Sequence, residues 1–205
     1  MIAVINYGLG NLTSIKNMFA RLGVDTVITD DKQKIRDASK LLLPGVGHFK
    51  KGMANLHETG LTDVLHREVK EKGKPILGIC LGAQLMTKHS EEGDVDGLGW
   101  VDAVTVKFDK EKLMGLPIPH MGWSEIEVKN NSELWEALPA DPRFYFVHAY
   151  HFLFGAGDEV TATSRYGYEF ACAFKKDNVF GAQFHPEKSH KFGMKVLENY
   201  SKLRM

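Results

Sequence analysis

Cysteine is scarce in this sequence, which has only two among 205 residues. Cys80 lies in a glycine-rich turn and Cys172 in an apolar alternating run. Two isolated cysteines form neither a disulfide framework nor the ligand spacing of a zinc site. We expect no metal, and we also expect no cofactor. For Cys172 the prediction is plain core packing, because free cysteine is often buried.

An excess of charge of either sign is also absent, with 26 basic and 26 acidic residues. This balance gives no basic surface for nucleic acid and no acidic tail, so nucleic acid is not an expected partner. No window approaches the roughly 18 apolar residues of a membrane span. The opening "MIAVINYGLGN" lacks the basic segment of a signal peptide. The expectation is a cytoplasmic protein without a membrane partner.

The first hundred residues repeat one pattern, in which a short aliphatic run ends at glycine or proline and a helical pattern follows. The runs are "IAVIN", "DTVIT", "KLLLPG" and "KPILGI". Helices are predicted at about 12–22, 48–57 and 61–72, and from Cys80 to about Lys88. This succession is typical of βα units on a parallel sheet.

From Trp100 onward the apolar residues alternate, which predicts antiparallel strands in "VDAVTVKF", "WSEIEV", "RFYFVHAY", "EVTATSRY", "FACAFKK" and "NVFGAQF". A last helix is predicted from about His190 to Leu203. With 43% hydrophobic residues, residues 1–205 are predicted to form a single α/β domain. We expect three layers: a mostly parallel central sheet, helices on both faces, and an antiparallel C-terminal strand region that continues the sheet.

The stretch "GICLGAQ" places Cys80 between a predicted strand and a helix, with Gly78 and Gly82 on either side. This is the pattern of a nucleophile elbow, in which a sharp turn lifts the side chain above the sheet. The positive end of the helix would favour the thiolate, and the N–H of Leu81 would lie where an oxyanion forms. Read alone, the pattern fits a buried structural thiol equally well.

The stretch "QFHPEKS" supplies the proton-transfer groups that a thiol nucleophile needs. Pro186 ends the preceding strand, which leaves His185 at the strand end. Glu187 lies two residues on, on the same side of an extended chain. A third stretch, Gly45-Val46-Gly47, follows another strand and could turn a second N–H toward Cys80.

Six motifs, "LLLPGVG", "GICLGAQL", "SEEG", "HMGW", "YFVHAY" and "FHPEKS", resemble in sequence and order the class I glutamine amidotransferase family. More narrowly, they are similar to the glutaminase subunits of imidazole glycerol phosphate synthases. The resemblance implies a flavodoxin-like glutaminase fold. It also implies that Cys80 attacks the glutamine amide, that His185 transfers protons and that Glu187 orients His185, giving glutamate and ammonia.

The same resemblance implies the remaining site residues. Val46 and Leu81 form the oxyanion hole. The residues implied in glutamine binding are Gly47, Gln84, Glu92, Tyr145 and Ala149.

The resemblance further implies a heterodimer with a (β/α)₈ cyclase, which receives the ammonia and makes imidazole glycerol phosphate and an aminoimidazole carboxamide ribotide in histidine biosynthesis. The residues implied at this interface are His120, Met121, Trp123 and Lys188. Three positions depart from the family pattern: Ala83 replaces the usual methionine, Ser124 the common asparagine, and Ala149 the usual serine or threonine.

Three alternatives remain at this point. A paralogous glutaminase would feed ammonia to a synthase that amidinates a bacterial surface sugar. A silent scaffold would have lost Cys80, His185 or Glu187, but all three are present. A nucleotide-binding module is suggested by "YGLGNLT", although Thr13 occupies the third glycine position of that fingerprint.

Overall fold

The computed structural model describes residues 1–130 and 132–203. Its centre is a thirteen-stranded sheet with helices packed on both faces. The strands are β1 (Ile2–Ile5), β2 (Thr26–Thr29), β3 (Lys40–Gly45), β4 (Ile76–Cys80), β5 (His89–Ser90), β6 (Val95–Asp96), β7 (Ala103–Lys107), β8 (His120–Val128), β9 (Arg143–His148), β10 (Tyr150–Phe154), β11 (Val160–Tyr166), β12 (Tyr168–Lys176) and β13 (Val179–Ala182).

The α-helices are α1 (Leu12–Arg21), α2 (Lys32–Asp37), α3 (Phe49–Glu58), α4 (Leu61–His66), α5 (Leu81–Gln84) and α6 (His190–Lys202). A π-helical segment, Arg67–Glu71, extends α4, and 3₁₀ turns lie at Glu133–Trp135, Gly157–Glu159 and Pro186–Lys188. Within the described ranges, no helix is long and apolar enough to cross a membrane.

The parallel half of the sheet has the strand order β2-β1-β3-β4-β13. β13, in the stretch "NVFGAQF" predicted to be antiparallel, pairs antiparallel with β12 on one side but in parallel with β4 on the other. It therefore joins the parallel half to the antiparallel half, and the prediction of one continuous sheet is confirmed. Because β3, β4 and β13 run in the same direction, their carboxyl ends meet at one edge.

Two apolar cores lie on opposite faces of the sheet. The side chains of α1 and α6 pack on one face, with Phe19 and Val196 fully buried. Those of α2, α3 and α4 pack on the other, with Ile35 and Leu56 fully buried. The predicted three-layer arrangement is therefore confirmed. The buried runs of β1, β3 and β4 explain why these strands read as continuous aliphatic stretches.

Two predicted elements differ from the structure. The helix after Cys80 ends at Gln84, because the carbonyls of Leu85 and Thr87 accept hydrogen bonds from a later loop, at Leu98 and Gly99. The stretch "RFYFVHAY" forms two strands that meet at Ala149, since β9 pairs with β8 whereas β10 pairs with β7.

Candidate active site

Cys80 ends β4 in a backbone conformation that non-glycine residues rarely adopt, with φ 52° and ψ −114°. α5 begins at the next residue, so the chain reverses sharply at the thiol, as predicted for an elbow. The flanking glycines are needed for close packing. A Cβ at Gly82 would lie 1.8 Å from the carbonyl oxygen of Leu43, and one at Gly78 would lie 2.6 Å from the Cα of Ala83.

β13 brings the second half of the site to the same edge. Its register pairs Ala182 with Ile79, one residue before the elbow. The chain then continues to His185, whose Nδ1 lies 2.8 Å from Oε1 of Glu187. Both side chains are almost fully buried. Cys80 and His185, from distant parts of the sequence, thus border the same cavity because β4 and β13 are neighbouring strands.

The electrostatics of His185 favour its protonated form. Burial alone would lower its pKa, but the hydrogen-bonding influence of Cys80 and Glu187 outweighs burial and raises the pKa to about 10. Among the described residues, Nε2 of His185 has no conventional hydrogen-bond partner. A protonated imidazole of this kind can donate its Nε2 proton to a leaving group.

A cavity of about 190 Å³ lies over Cys80. The predicted residues that line it are Val46, Gly47, Cys80, Leu81, Gln84, Glu92, Ala149 and His185. Glu187 lies behind His185 instead. The candidate nucleophile, the candidate proton donor and both candidate oxyanion loops thus border one small space.

Two polar side chains of the cavity are held by protein contacts. Gln84 donates through Nε2 to the carbonyl of Tyr150 at 3.1 Å and to Oε1 of Gln183 at 3.0 Å. Its own Oε1 keeps its capacity to accept from a ligand. Glu92 accepts from the N–H of Phe49 at 2.8 Å, which fixes its carboxylate at the start of α3.

Tyr145 does not line the cavity, contrary to the prediction. Its ring lies under Nζ of Lys188 at 5.4 Å and edge-on to Trp123 at 6.3 Å. The β8–β9 register places Tyr145 directly opposite Trp123, so its ring lies on the outward face of the strand pair. It joins Met121, Trp123 and Lys188 on an exposed surface, where Met121 is 62% and Trp123 44% exposed.

His120 also differs from its prediction as a partner-contact residue. Its side chain is only 2% exposed and stacks on Tyr166 with ring centroids 4.2 Å apart. It hydrogen-bonds to His148 and Ser124. Alternation along β8 explains this, since Met121 and Trp123 point outward while His120 points into the core.

Sequence reasoning missed several residues at the site. Val147, His148 and Tyr150 line the cavity, and the quoted "YFVHAY" was the available signal. Gln183, directly before the "FHPE" stretch, donates to the sulfur of Cys80 at 3.7 Å. Tyr7, from "NYGLGN", has a fully buried hydroxyl without a hydrogen-bond partner among the described residues. Burial and the proximity of Cys80 both raise its pKa, so its phenol stays neutral.

Comparison with known proteins agrees with this geometry. A family model described as glutamine amidotransferase class-I matches residues 3–202. The chain belongs to the class I glutamine amidotransferase family. Several relatives match this chain over nearly their whole length.

Two of these relatives are named imidazole glycerol phosphate synthase subunit HisH 2. The one from Methanococcus maripaludis is 50% identical over 202 residues, covering 98% of this chain and 99% of the relative. The one from Pseudomonas aeruginosa is 43% identical over 203 residues, covering 99% of this chain and all of the relative. A subunit HisH from Sulfurimonas denitrificans is 45% identical over 206 residues, covering 100% and 99%.

Solved structures of other amidotransferases share the fold. A crystal structure of a glutamine amidotransferase has a TM-score of 0.75 at 23% identity, covering 97% of this chain and 98% of the other. The structure of PurLQS from Thermotoga maritima has a TM-score of 0.74 at 21% identity, covering 97% and 96%. At these identities the likeness supports the class I amidotransferase architecture alone.

Proposed function

We propose that this class I amidotransferase is the glutaminase subunit of an imidazole glycerol phosphate synthase, working in the cytoplasm in histidine biosynthesis. The observation that carries the proposal is that Cys80 and His185 line the same small cavity and that His185 is hydrogen-bonded to Glu187. The names of the full-length relatives favour the histidine pathway over the surface-sugar alternative.

In the proposed mechanism, the thiolate of Cys80 attacks the side-chain amide carbon of glutamine. The N–H groups of Leu81 and Val46 stabilise the resulting oxyanion. The carbon–nitrogen bond breaks as Nε2 of His185 gives its proton to the leaving ammonia, which leaves a γ-glutamyl thioester on Cys80.

In the second half of the reaction, neutral His185 removes a proton from water, and the hydroxide attacks the thioester carbon. The carbon–sulfur bond breaks and glutamate leaves. Glu187 keeps the imidazole oriented through Nδ1 in both halves, because its carboxylate stabilises the imidazolium each time it forms.

Four further residues are proposed to hold the glutamine. Oε1 of Gln84 and the free oxygen of Glu92 supply acceptors for the ammonium group of the substrate, while the backbones of Gly47 and Ala149 close the cavity. At Ala149 only the backbone is available, so the change from the family's hydroxyl residue removes no proposed contact.

For the partner we propose a (β/α)₈ cyclase that docks on the surface formed by Met121, Trp123, Tyr145 and Lys188. Exposed methionine and aromatic side chains of this kind are enriched in interface cores. The lyase step that follows belongs to the cyclase. This chain contributes the ammonia.

The test compares Cys80→Ala with Cys172→Ala in glutamate release, measured with the purified cyclase present. We expect Cys80→Ala to lose hydrolysis and still bind the cyclase, whereas Cys172→Ala, buried in β12, keeps wild-type activity. Glutamate production by Cys80→Ala at the wild-type rate would refute the mechanism. If the protein supplied ammonia to a sugar-amidinating synthase and not to the cyclase, the pathway assignment would be refuted but the mechanism would not.

A further inference from the structure

Three polar side chains outside the triad form a continuous row of hydrogen bonds that ends at the cavity. Oγ of Ser124 lies 2.9 Å from Nε2 of His120. Nδ1 of His120 lies 3.0 Å from Nε2 of His148, and Nδ1 of His148 lies 2.7 Å from the carbonyl oxygen of Tyr150. The row exists because the β8–β9 register places His120 directly opposite His148.

The direction of every bond in this row follows from its last acceptor. A carbonyl can only accept, so Nδ1 of His148 carries the proton. Burial lowers the pKa of His120 to about 4 and that of His148 well below its ordinary value, so both rings are neutral near pH 7. Nε2 of His148 therefore accepts, Nδ1 of His120 donates, and Nε2 of His120 accepts from the hydroxyl of Ser124.

The rings of this row are tightly enclosed. His120 is stacked between Phe146 and Tyr166, with ring centroids 4.9 Å and 4.2 Å away. The ring of His148 packs against Phe108, with centroids 5.2 Å apart. With both histidines almost fully buried, neither ring can turn without losing its hydrogen bonds, and a buried ring nitrogen left unpaired costs free energy.

The inner end of the row, at the carbonyl of Tyr150, is hydrogen-bonded to a residue of the proposed glutamine site. The carbonyl of Tyr150 accepts from His148 and also from Nε2 of Gln84 at 3.1 Å. Ala149, which lines the cavity, lies between the two anchored residues, and its carbonyl accepts from the N–H of Phe108 at 3.1 Å. The row therefore sets the position of both a substrate-binding amide and a substrate-facing stretch of backbone.

We propose that Ser124, His120 and His148 are positioning residues for glutamine, which orient the Tyr150 carbonyl and through it the Gln84 amide and the Ala149 backbone. This inference rests on the proposed glutaminase function. It assigns Ser124 a role as a hydrogen-bond donor at the outer end of the row.

The kinetic test compares Ser124→Ala, which removes the donor, with Ser124→Thr, which keeps a hydroxyl. Losing one hydrogen bond of ordinary strength predicts a KM for glutamine raised about three- to tenfold in Ser124→Ala, with a smaller change in kcat. Ser124→Thr should restore the wild-type KM. Equal KM values for wild type and Ser124→Ala, or equal defects in both variants, would overturn the proposal.

Ser164→Ala is the matched control. The Ser164 hydroxyl donates to the carbonyl of Glu125 at 2.7 Å, so this variant removes a serine hydrogen bond to the same strand, at the residue next to Ser124, without touching the row. We expect its KM to equal that of wild type. A KM increase as large as that of Ser124→Ala would mean that β8 as a whole, and not the row, sets the site.

The tautomers give a readout that does not depend on activity. Long-range ¹H–¹⁵N correlation spectra of the wild-type protein should show both His120 and His148 neutral and protonated on Nδ1, with His120→Phe assigning the first. A proton on Nε2 of His148 would overturn the row. If wild type released no glutamate while these tautomers were observed, the glutaminase proposal would fail and the row itself would stand.

Discussion

The strained backbone of Cys80 leads us to predict that Cys80→Gly is more stable than Cys80→Ala, the reverse of the usual order. At φ 52° and ψ −114°, a residue with a Cβ pays about 1–3 kcal/mol in backbone strain, which glycine avoids. Glycine ordinarily costs about 0.5–1 kcal/mol relative to alanine because its unfolded chain is freer. The balance favours Cys80→Gly over Cys80→Ala by about 1 kcal/mol.

Both variants lose the same sulfur, so they differ only in the buried β-carbon that alanine keeps and in the backbone. Urea unfolding should give the two proteins the same m-value and a higher midpoint for Cys80→Gly. By thermal unfolding, about 1 kcal/mol corresponds to roughly 2–4 °C for a domain of this size. A Cys80→Gly variant less stable than Cys80→Ala would refute the claim that the elbow is strained.

Cys172 provides the control for that comparison. It is fully buried in β12, in ordinary extended backbone. There the usual order should hold, with Cys172→Gly less stable than Cys172→Ala by about 0.5–1 kcal/mol. The same pair of substitutions is thus expected to give opposite signs at the two cysteines of one protein.

Three further predictions concern charge and packing. Glu187→Gln removes a carboxylate that raises the pKa of His185, so the alkaline limb of the kcat/KM profile should move to lower pH. Gly82→Ala places a Cβ against a backbone carbonyl of β3 and should unfold at a clearly lower temperature, whereas Gly155→Ala, in open space, should not. His120 has a pKa lowered to about 4 by burial, so the folded protein binds this proton less tightly than the unfolded chain. Stability should therefore fall as pH drops from 6.5 toward 4, by up to about 3 kcal/mol, and calorimetry should show a shallower fall for His120→Phe.

The parallel half of the fold and the triad were predictable because their signals are local. β1, β3 and β4 are buried on both faces, so each appears as an aliphatic run that a glycine or proline ends. Cys80 ends such a run, and His185 comes shortly after the run "NVFGA". The alternating pattern predicted an antiparallel strand there, but β13 pairs in parallel with β4, and this pairing brings His185 to the carboxyl edge where Cys80 lies.

The errors arose where distant strands decide the local structure. α5 stops after one turn because a loop some ten residues later donates hydrogen bonds to the carbonyls of Leu85 and Thr87, just beyond the helix. Tyr145 and His120 face opposite ways from their predictions because the direction of a side chain on β8 and β9 follows from the pairing of those strands. The row of hydrogen bonds through Ser124 depends on the same pairing of β8 with β9, so no short motif could predict this row.

The position of β13 has a consequence for how the protein is made. It is the last of the described strands in chain order, yet it lies between β4 and β12 in the middle of the sheet. During synthesis, Cys80 leaves the ribosome about a hundred residues before His185, and until β13 inserts, two apolar strand edges stay open to wrong pairing. Under the proposed mechanism, the nascent chain carries Cys80 without its proton donor and is expected to release no ammonia. We therefore expect glutamate production to begin only when the final strand closes the sheet, so that it reports complete folding of the central sheet.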